Sequence, residues 1–137
     1  MKDTSNHPKN LKPALLIIDV QNRYMQVIPG RDKEIAFFFI NLLIELFRKN
    51  DFPIYRIYHS NEKTGPMPGN DEFEFPDAIR IKPEDTQIIK TYSDSFNKTN
   101  LNAILKENGI DTLFLCDIHS GIKLKSCALS YDERAAT

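Results

Sequence analysis

No stretch of this sequence is long and apolar enough to span a bilayer. The first twelve residues, Met1 to Lys12, are polar and lack the apolar segment that opens a secretory signal. Neither sign of charge dominates. Eighteen Lys and Arg stand against nineteen Asp and Glu, a formal net charge of -1, so nothing in the balance calls for nucleic acid or an anionic membrane as partner. Cysteine is scarce: Cys116 and Cys127 form no Cys-x-x-Cys pair of the metal-binding kind, and in a reducing compartment they are free thiols. There is no Gly-rich phosphate loop, no internal repeat and no low-complexity segment. What these absences leave is an ordinary globular chain, cytoplasmic by default. Its 137 residues, 41% of them hydrophobic, suit a single domain over residues 1–137, with Met1 to Lys12 as a flexible arm.

The strongest signal is Ala14-Leu-Leu-Ile-Ile-Asp-Val-Gln-Asn22. Five apolar residues run directly into Asp19. A short unbroken apolar run of this kind reads as a strand, Leu15 to Val20, buried on both faces. An acid at the carboxyl end of a buried parallel strand stands where open α/β sheets bind ligands, although Asp also serves there as a simple loop or helix cap. Asp32 to Asn50 reads as a long helix with a wide apolar stripe and Asp32 as its N-cap. Ile54 to His59 reads as a second strand. Ser60 to Asp77 is a Gly-, Pro- and acid-rich loop, either a lid anchored by Phe73 and Phe75 or a loosely packed surface segment. Thr86 to Lys90 is a short strand, Tyr92 to Asn97 a turn, and Thr99 to Asn108 a helix closed by Gly109 at C′. Thr112 to Cys116 is a further strand, and Ser120 to Ala136 could hold one more helix. Alternation of β and α predicts a three-layer α-β-α fold with a mainly parallel sheet in Rossmann-like order, lacking its C-terminal part.

The segment Ala14 to Asn22 resembles the opening of the isochorismatase-like cysteine hydrolases, the group that includes nicotinamidases. Arg56-Ile-Tyr-His59 resembles that family's second strand. Ile88-Ile-Lys-Thr-Tyr-Ser-Asp-Ser-Phe96 followed by Thr99-Asn-Leu101 resembles its lysine segment, and Gly109-Ile-Asp-Thr-Leu-Phe-Leu115 its next strand. The resemblance runs from about Leu11 to Ala135. It implies hydrolysis of a small amide or related substrate by an Asp, Lys and Cys set without a cofactor, with Asp19 as base and Lys90 as the cation that lowers the thiol pKa. It also makes Asn22, Tyr24, His59, Phe96, Ile118 and His119 the expected substrate-contacting residues, and a homo-oligomer the expected assembly.

The nucleophile is where the sequence departs from the family pattern. Without a gap, Asp117 takes the family's Gly position, Ser120 its Thr or Ser position, and Lys123 its Cys position. A four-residue insertion instead puts Gly121 at the Gly position and Cys127 at the nucleophile. The ungapped register is favoured, because Cys127-Ala128 then falls on the family's Thr-Ala and Asp132-Glu-Arg134 continues the following helix. Two readings stay open: a cysteine hydrolase using Asp19, Lys90 and Cys127, or a degenerate member with Lys123 at the nucleophile position that serves as a binding or oligomerisation module. A third class, Asp-centred phosphoryl transfer, has little support, because Asp19 has no acidic neighbour within the next few residues to help hold Mg²⁺. Cys116, on its strand, reads as a small core residue. Nicotinamidases pair a His at the position of His59 with an Asp two residues earlier and a further His to bind a metal. Here Ile57 fills the acid's place, and no metal is expected.

Overall fold

The computed structural model describes residues 11–91 and 99–118, together with the backbone of 121–126. Its centre is a sheet in the order β3-β2-β1-β4-β5. The strands are β1 (Pro13–Ile18), β2 (Ile54–His59), β3 (Thr86–Lys90), β4 (Thr112–Asp117) and β5 (Gly121–Ser126). The first four in sequence run parallel, and β5 pairs antiparallel to β4. The chain steps outward from β1 to β3, then crosses back to lay β4 on the other side of β1. That reversal opens a crevice at the carboxyl ends of β1 and β4, the usual ligand position in such sheets.

The unbroken apolar run of β1 follows from its place as a central strand. Leu15 and Ile17 join the core under the long helix, with Ile40, Ile44, Phe47, Tyr58 and Cys116. Ala14 and Leu16 join the opposite core, with Ile57, Ile88, Leu101, Leu105 and Leu113. Both sets are completely buried within β1. The period-2 alternation of a strand thus demands apolar residues at every position when both faces are covered.

Two helices supply most of that cover, and a third closes the site. Helix α1 (Asn22–Met25) is a single turn beyond β1. Helix α2 (Gly30–Lys49) starts two residues before the expected Asp32. Pro29 is its N-cap residue, and the Pro29 carbonyl accepts the Lys33 amide at 2.9 Å. Proline fixes φ near the helical value, so the chain enters the helix there, and Asp32 instead lies in the first turn, where a carboxylate favours the positive end of the helix dipole. Helix α3 (Leu101–Glu107) is closed by Gly109 at φ +67°, a left-handed conformation that glycine adopts without strain.

The sequence expectation of a helix across Ser120 to Ala136 is corrected over its first part. Gly121–Ser126 forms a strand, with Asp117 opposite Gly121, Leu115 opposite Lys123 and Thr112 opposite Ser126. The sheet therefore does not end at β4, and among the described residues its edge strands are β3 and β5. The residue pattern Ile122-Lys-Leu-Lys125 carries the period-2 alternation of a strand. Lysines on an edge strand also discourage pairing with further chains.

The long loop is packed rather than loose. The Tyr58 ring stacks on Phe73 with centroids 4.7 Å apart, and Phe75 lies 4.6 Å from the same ring. A second tether is electrostatic. Arg48 on α2 makes two hydrogen bonds to the buried Asp85 carboxylate, at 2.9 and 3.1 Å, and that carboxylate also accepts the Lys82 amide at 2.8 Å. Asp85→Ala should destabilise the fold by about 2–4 kcal/mol, because it leaves the half-buried Arg48 guanidinium and the Lys82 amide without their acceptor. Urea unfolding of the variant at pH 7 measures this; a change below about 1 kcal/mol would contradict it.

Candidate active site

Every parallel strand of this sheet ends, or is directly followed, at its carboxyl end by a titratable residue. Asp19 follows β1, His59 ends β2, Lys90 ends β3 and Asp117 ends β4. Lys90 is the most buried of them. Its side chain is only 1% exposed, and its Nζ donates to Asp19 Oδ2 at 3.2 Å. The strands that carry the two residues lie two spacings apart, about 10 Å, so the lysine side chain, the hydrogen bond and the aspartate side chain together span β2. A buried ammonium needs a carboxylate, and Asp19 supplies it.

Asp19 is held in place by its backbone. Its amide donates to the Ile57 carbonyl at 2.9 Å, extending the β1–β2 ladder by one residue. Its φ is +58°, left-handed and uncommon outside glycine, though Asp tolerates it better than most residues. This turn directs the chain out of the sheet immediately after the last buried strand residue. Burial pushes the Asp19 carboxyl above the ordinary carboxylate range, Lys90 pulls it back, and Asp117 adds to the upward push. Asp19 Oδ1 is buried and has no hydrogen-bond partner among the described residues. A carboxylate with one oxygen paired to a cation and the other free is placed to exchange a proton with a bound molecule.

Gln21 was not singled out in the sequence, yet it is the connector of the site. It is fully buried. Its Oε1 accepts the His59 amide at 2.8 Å, and its Nε2 donates to the His59 carbonyl at 3.0 Å. The side-chain amide thus satisfies both backbone groups at the end of β2, as a neighbouring strand would. The signal was its position in the motif two residues beyond Asp19. A buried Gln can be tolerated only with its polar atoms paired.

The remaining expected residues divide. His59 lies in register with Lys90, and its Nδ1 is buried without a partner among the described residues. Burial and the Lys90 charge hold its pKa below the usual value, against a smaller opposing pull from Asp19. Tyr24 is half-buried, and burial with the Asp19 charge raises its hydroxyl pKa. Asn22 serves the loop: its Nδ2 donates to the Asp71 carbonyl at 2.9 Å and its backbone amide to Glu74 at 2.8 Å. Ile118 packs against the α2-side core. Phe96, His119 and Cys127 lie outside the described residues, as does the side chain of Lys123. The backbone of Ser126 stands opposite Thr112, at the amino-terminal end of β4 and away from Asp19. Cys116 is fully buried, and burial pushes its thiol up to about 12, so it remains a neutral thiol at neutral pH. Ile57 is also fully buried, which leaves no acid beside His59 on β2 for a metal centre. Among the described residues no three His, Cys, Asp or Glu are grouped to hold a metal ion, and no helix is long and apolar enough to cross a membrane.

The fold belongs to a known class. Residues 13–130 match the isochorismatase domain, and the chain belongs to the isochorismatase family. It is similar to two uncharacterized isochorismatase family proteins of Bacillus subtilis, YrdC and YddQ. YrdC is 31% identical over 107 residues, covering 76% of this chain and 57% of YrdC. YddQ is 30% identical over 112 residues, covering 78% of this chain and 62% of YddQ. The chain therefore spans about three-fifths of the length of these relatives. Among solved structures it is similar to the N-carbamoylsarcosine amidase of Thermoplasma acidophilum, with a TM-score of 0.69 and 29% identity over 77% of this chain and 67% of that one. An isochorismatase-like hydrolase from Alkaliphilus metalliredigens shares the fold, with a TM-score of 0.72 at 22% identity over 90% of this chain and 69% of that one.

The environment of His59 is testable by NMR titration. In the folded state His59 should titrate below 6.5. At pH 7 it is neutral, and the stability that this neutral form contributes is lost as pH falls through 6.5, where the unfolded chain takes up a proton first. Lys90→Met removes a repelling charge and should move the His59 midpoint upward; an unchanged or lower midpoint would contradict the arrangement.

Proposed function

We propose that this chain hydrolyses a small amide or related carbonyl compound at the carboxyl edge of the sheet, with Asp19 carrying the proton and Lys90 supplying positive charge. The observation that carries this reading is the buried Asp19–Lys90 pair, whose second carboxylate oxygen lacks a partner among the described residues. The similarity to an amidase points to the same substrate class. In such a reaction Asp19 takes the proton of a thiol, the thiolate attacks the carbonyl carbon, and Asp19 returns the proton to the departing nitrogen. Water then hydrolyses the thioester. A carboxyl whose pKa is raised is a better proton acceptor than an ordinary one, and Lys90 keeps it ionised near neutral pH. Cys127 is the thiol in this reading, since Cys116 is buried and protonated.

A second reading is favoured by a specific observation. The pairing of β5 runs the chain from Asp117 back along β4, with Lys123 opposite Leu115 and Ser126 opposite Thr112. An amidase nucleophile has to stand near Asp19, at the other end of that strand. In this reading Lys123 takes the family's nucleophile position in sequence only, and the site binds its small molecule without turning it over.

Ammonia release from a panel of small primary amides and N-carbamoyl compounds distinguishes the readings. Hydrolysis that falls at least about 100-fold in Asp19→Asn and in Cys127→Ser, and persists in Lys123→Ala, supports the enzyme. Its acidic limb should move to higher pH in Lys90→Met, because the group that lowers the Asp19 pKa is gone. No turnover, with thermal stabilisation by one of these compounds that Asp19→Asn abolishes, supports binding alone. Neither turnover nor stabilisation by any compound would sink both.

A further inference from the structure

We propose that the outer face of α2 is the surface through which two copies of this chain associate, with the two helices antiparallel about a two-fold axis at the Ile40–Asn41 peptide. The face turned to the sheet is carried by Ile40, Ile44 and Phe47. The opposite face is also apolar. Ile35, Phe38, Phe39, Leu42 and Leu46 are each between 47% and 63% exposed, which is unusual for so many large apolar side chains on one helix. Phe38 and Phe39 meet edge to face with centroids 5.3 Å apart, so the patch is continuous across its middle.

The order of residues on this face identifies its occupant. Asp32, Ile35, Phe39, Leu42, Leu46 and Lys49 are all exposed. Their spacings along the chain are three, four, three, four and three, the rhythm of a helix-pairing seam. That series reads the same from either end. Laid antiparallel on an identical helix, Ile35 meets Leu46, Phe39 meets Leu42, and Asp32 meets Lys49 at both ends. An acid and a base thus face each other wherever the seam stops being apolar. In a parallel arrangement like charges would meet instead, so the pattern selects the two-fold, isologous contact. The five apolar side chains leave on the order of 500 Å² per copy uncovered, or roughly 1,000 Å² over a pair, which reaches the lower bound for a specific interface.

Sedimentation equilibrium of the full chain across a dilution series tests this. The expected result is a mass twice the 15.8 kDa of the chain at tens of micromolar, dissociating on dilution. Leu42→Glu should weaken association at least about 100-fold with its circular dichroism unchanged, since the residue is exposed in the single chain. Asp32→Lys and Lys49→Asp should each weaken it about ten-fold, and the double reversal should restore it. A monomer at all concentrations, a dimer indifferent to Leu42→Glu, or reversals that fail to rescue each other would overturn the proposal. So would a monomer in which deleting residues 127–137 newly exposes Phe39 to labelling, since the chain's own end would then be the occupant.

Discussion

A lysine that is almost wholly buried constrains this structure more than any other single feature. Lys90 ends β3, and its ammonium donates to the Asp19 carboxylate, two strands away, at 3.2 Å. Leaving one member of such a pair without the other is strongly unfavourable, of order 3–5 kcal/mol. The carboxyl ends of β1 and β3 must therefore stay in register, which they do only through β2. Gln21 then becomes intelligible. By closing both backbone groups of His59, it holds the end of β2 to the segment that follows β1. The left-handed turn at Asp19 is retained at some conformational cost because the pair and the Ile57 hydrogen bond fix it from two directions.

The loop after β2 rests on the same edge by different physics. Tyr58 presents its ring to Phe73 and Phe75, while Asn22 and Arg23 of α1 hold the loop by hydrogen bonds to Asp71, Glu72 and Thr64. The first residues after β1 thus serve two purposes. Asp19 and Gln21 build the site, and Asn22 and Arg23 secure the segment that borders it.

The fold was legible because its signals are local and repeated. The apolar run of β1, the helical stripe of α2 and Gly109 at the end of α3 each follow from a periodicity or from one residue's conformational range. The approach of Asp19 to Lys90 needed more: 71 positions separate them in sequence, and motif order, rather than any local pattern, brought them into one expectation. Motif position marks Asn22 as a substrate contact, and its Nδ2 also donates to the Asp71 carbonyl, a link that no local pattern announces. Gln21 was passed over because a glutamine after a strand usually means solvent, and its burial depends on groups 38 positions away. The start of α2 was misjudged locally, where the fixed φ of Pro29 outweighed the capping preference of Asp32.

The segment after β4 presents the sharpest conflict between local pattern and family expectation. Family order calls for a tight turn and a helix whose first amides would stabilise an oxyanion beside Asp19. Gly121-Ile-Lys-Leu-Lys-Ser126 alternates apolar and polar residues instead, and β-branched Ile122 suits a strand. The strand also has a ready partner, because the flank of β4 turned away from β1 would otherwise expose its backbone groups along the whole sheet. Each β5 residue paired there takes the chain about 3.3 Å farther from the carboxyl edge. Pairing of β5 thus carries the backbone of Lys123 and Ser126 away from the carboxyl edge at which Asp19 stands. In the ungapped register Asp117, at the end of β4, takes the place of the family's glycine, and its charge also pushes the Asp19 carboxyl upward.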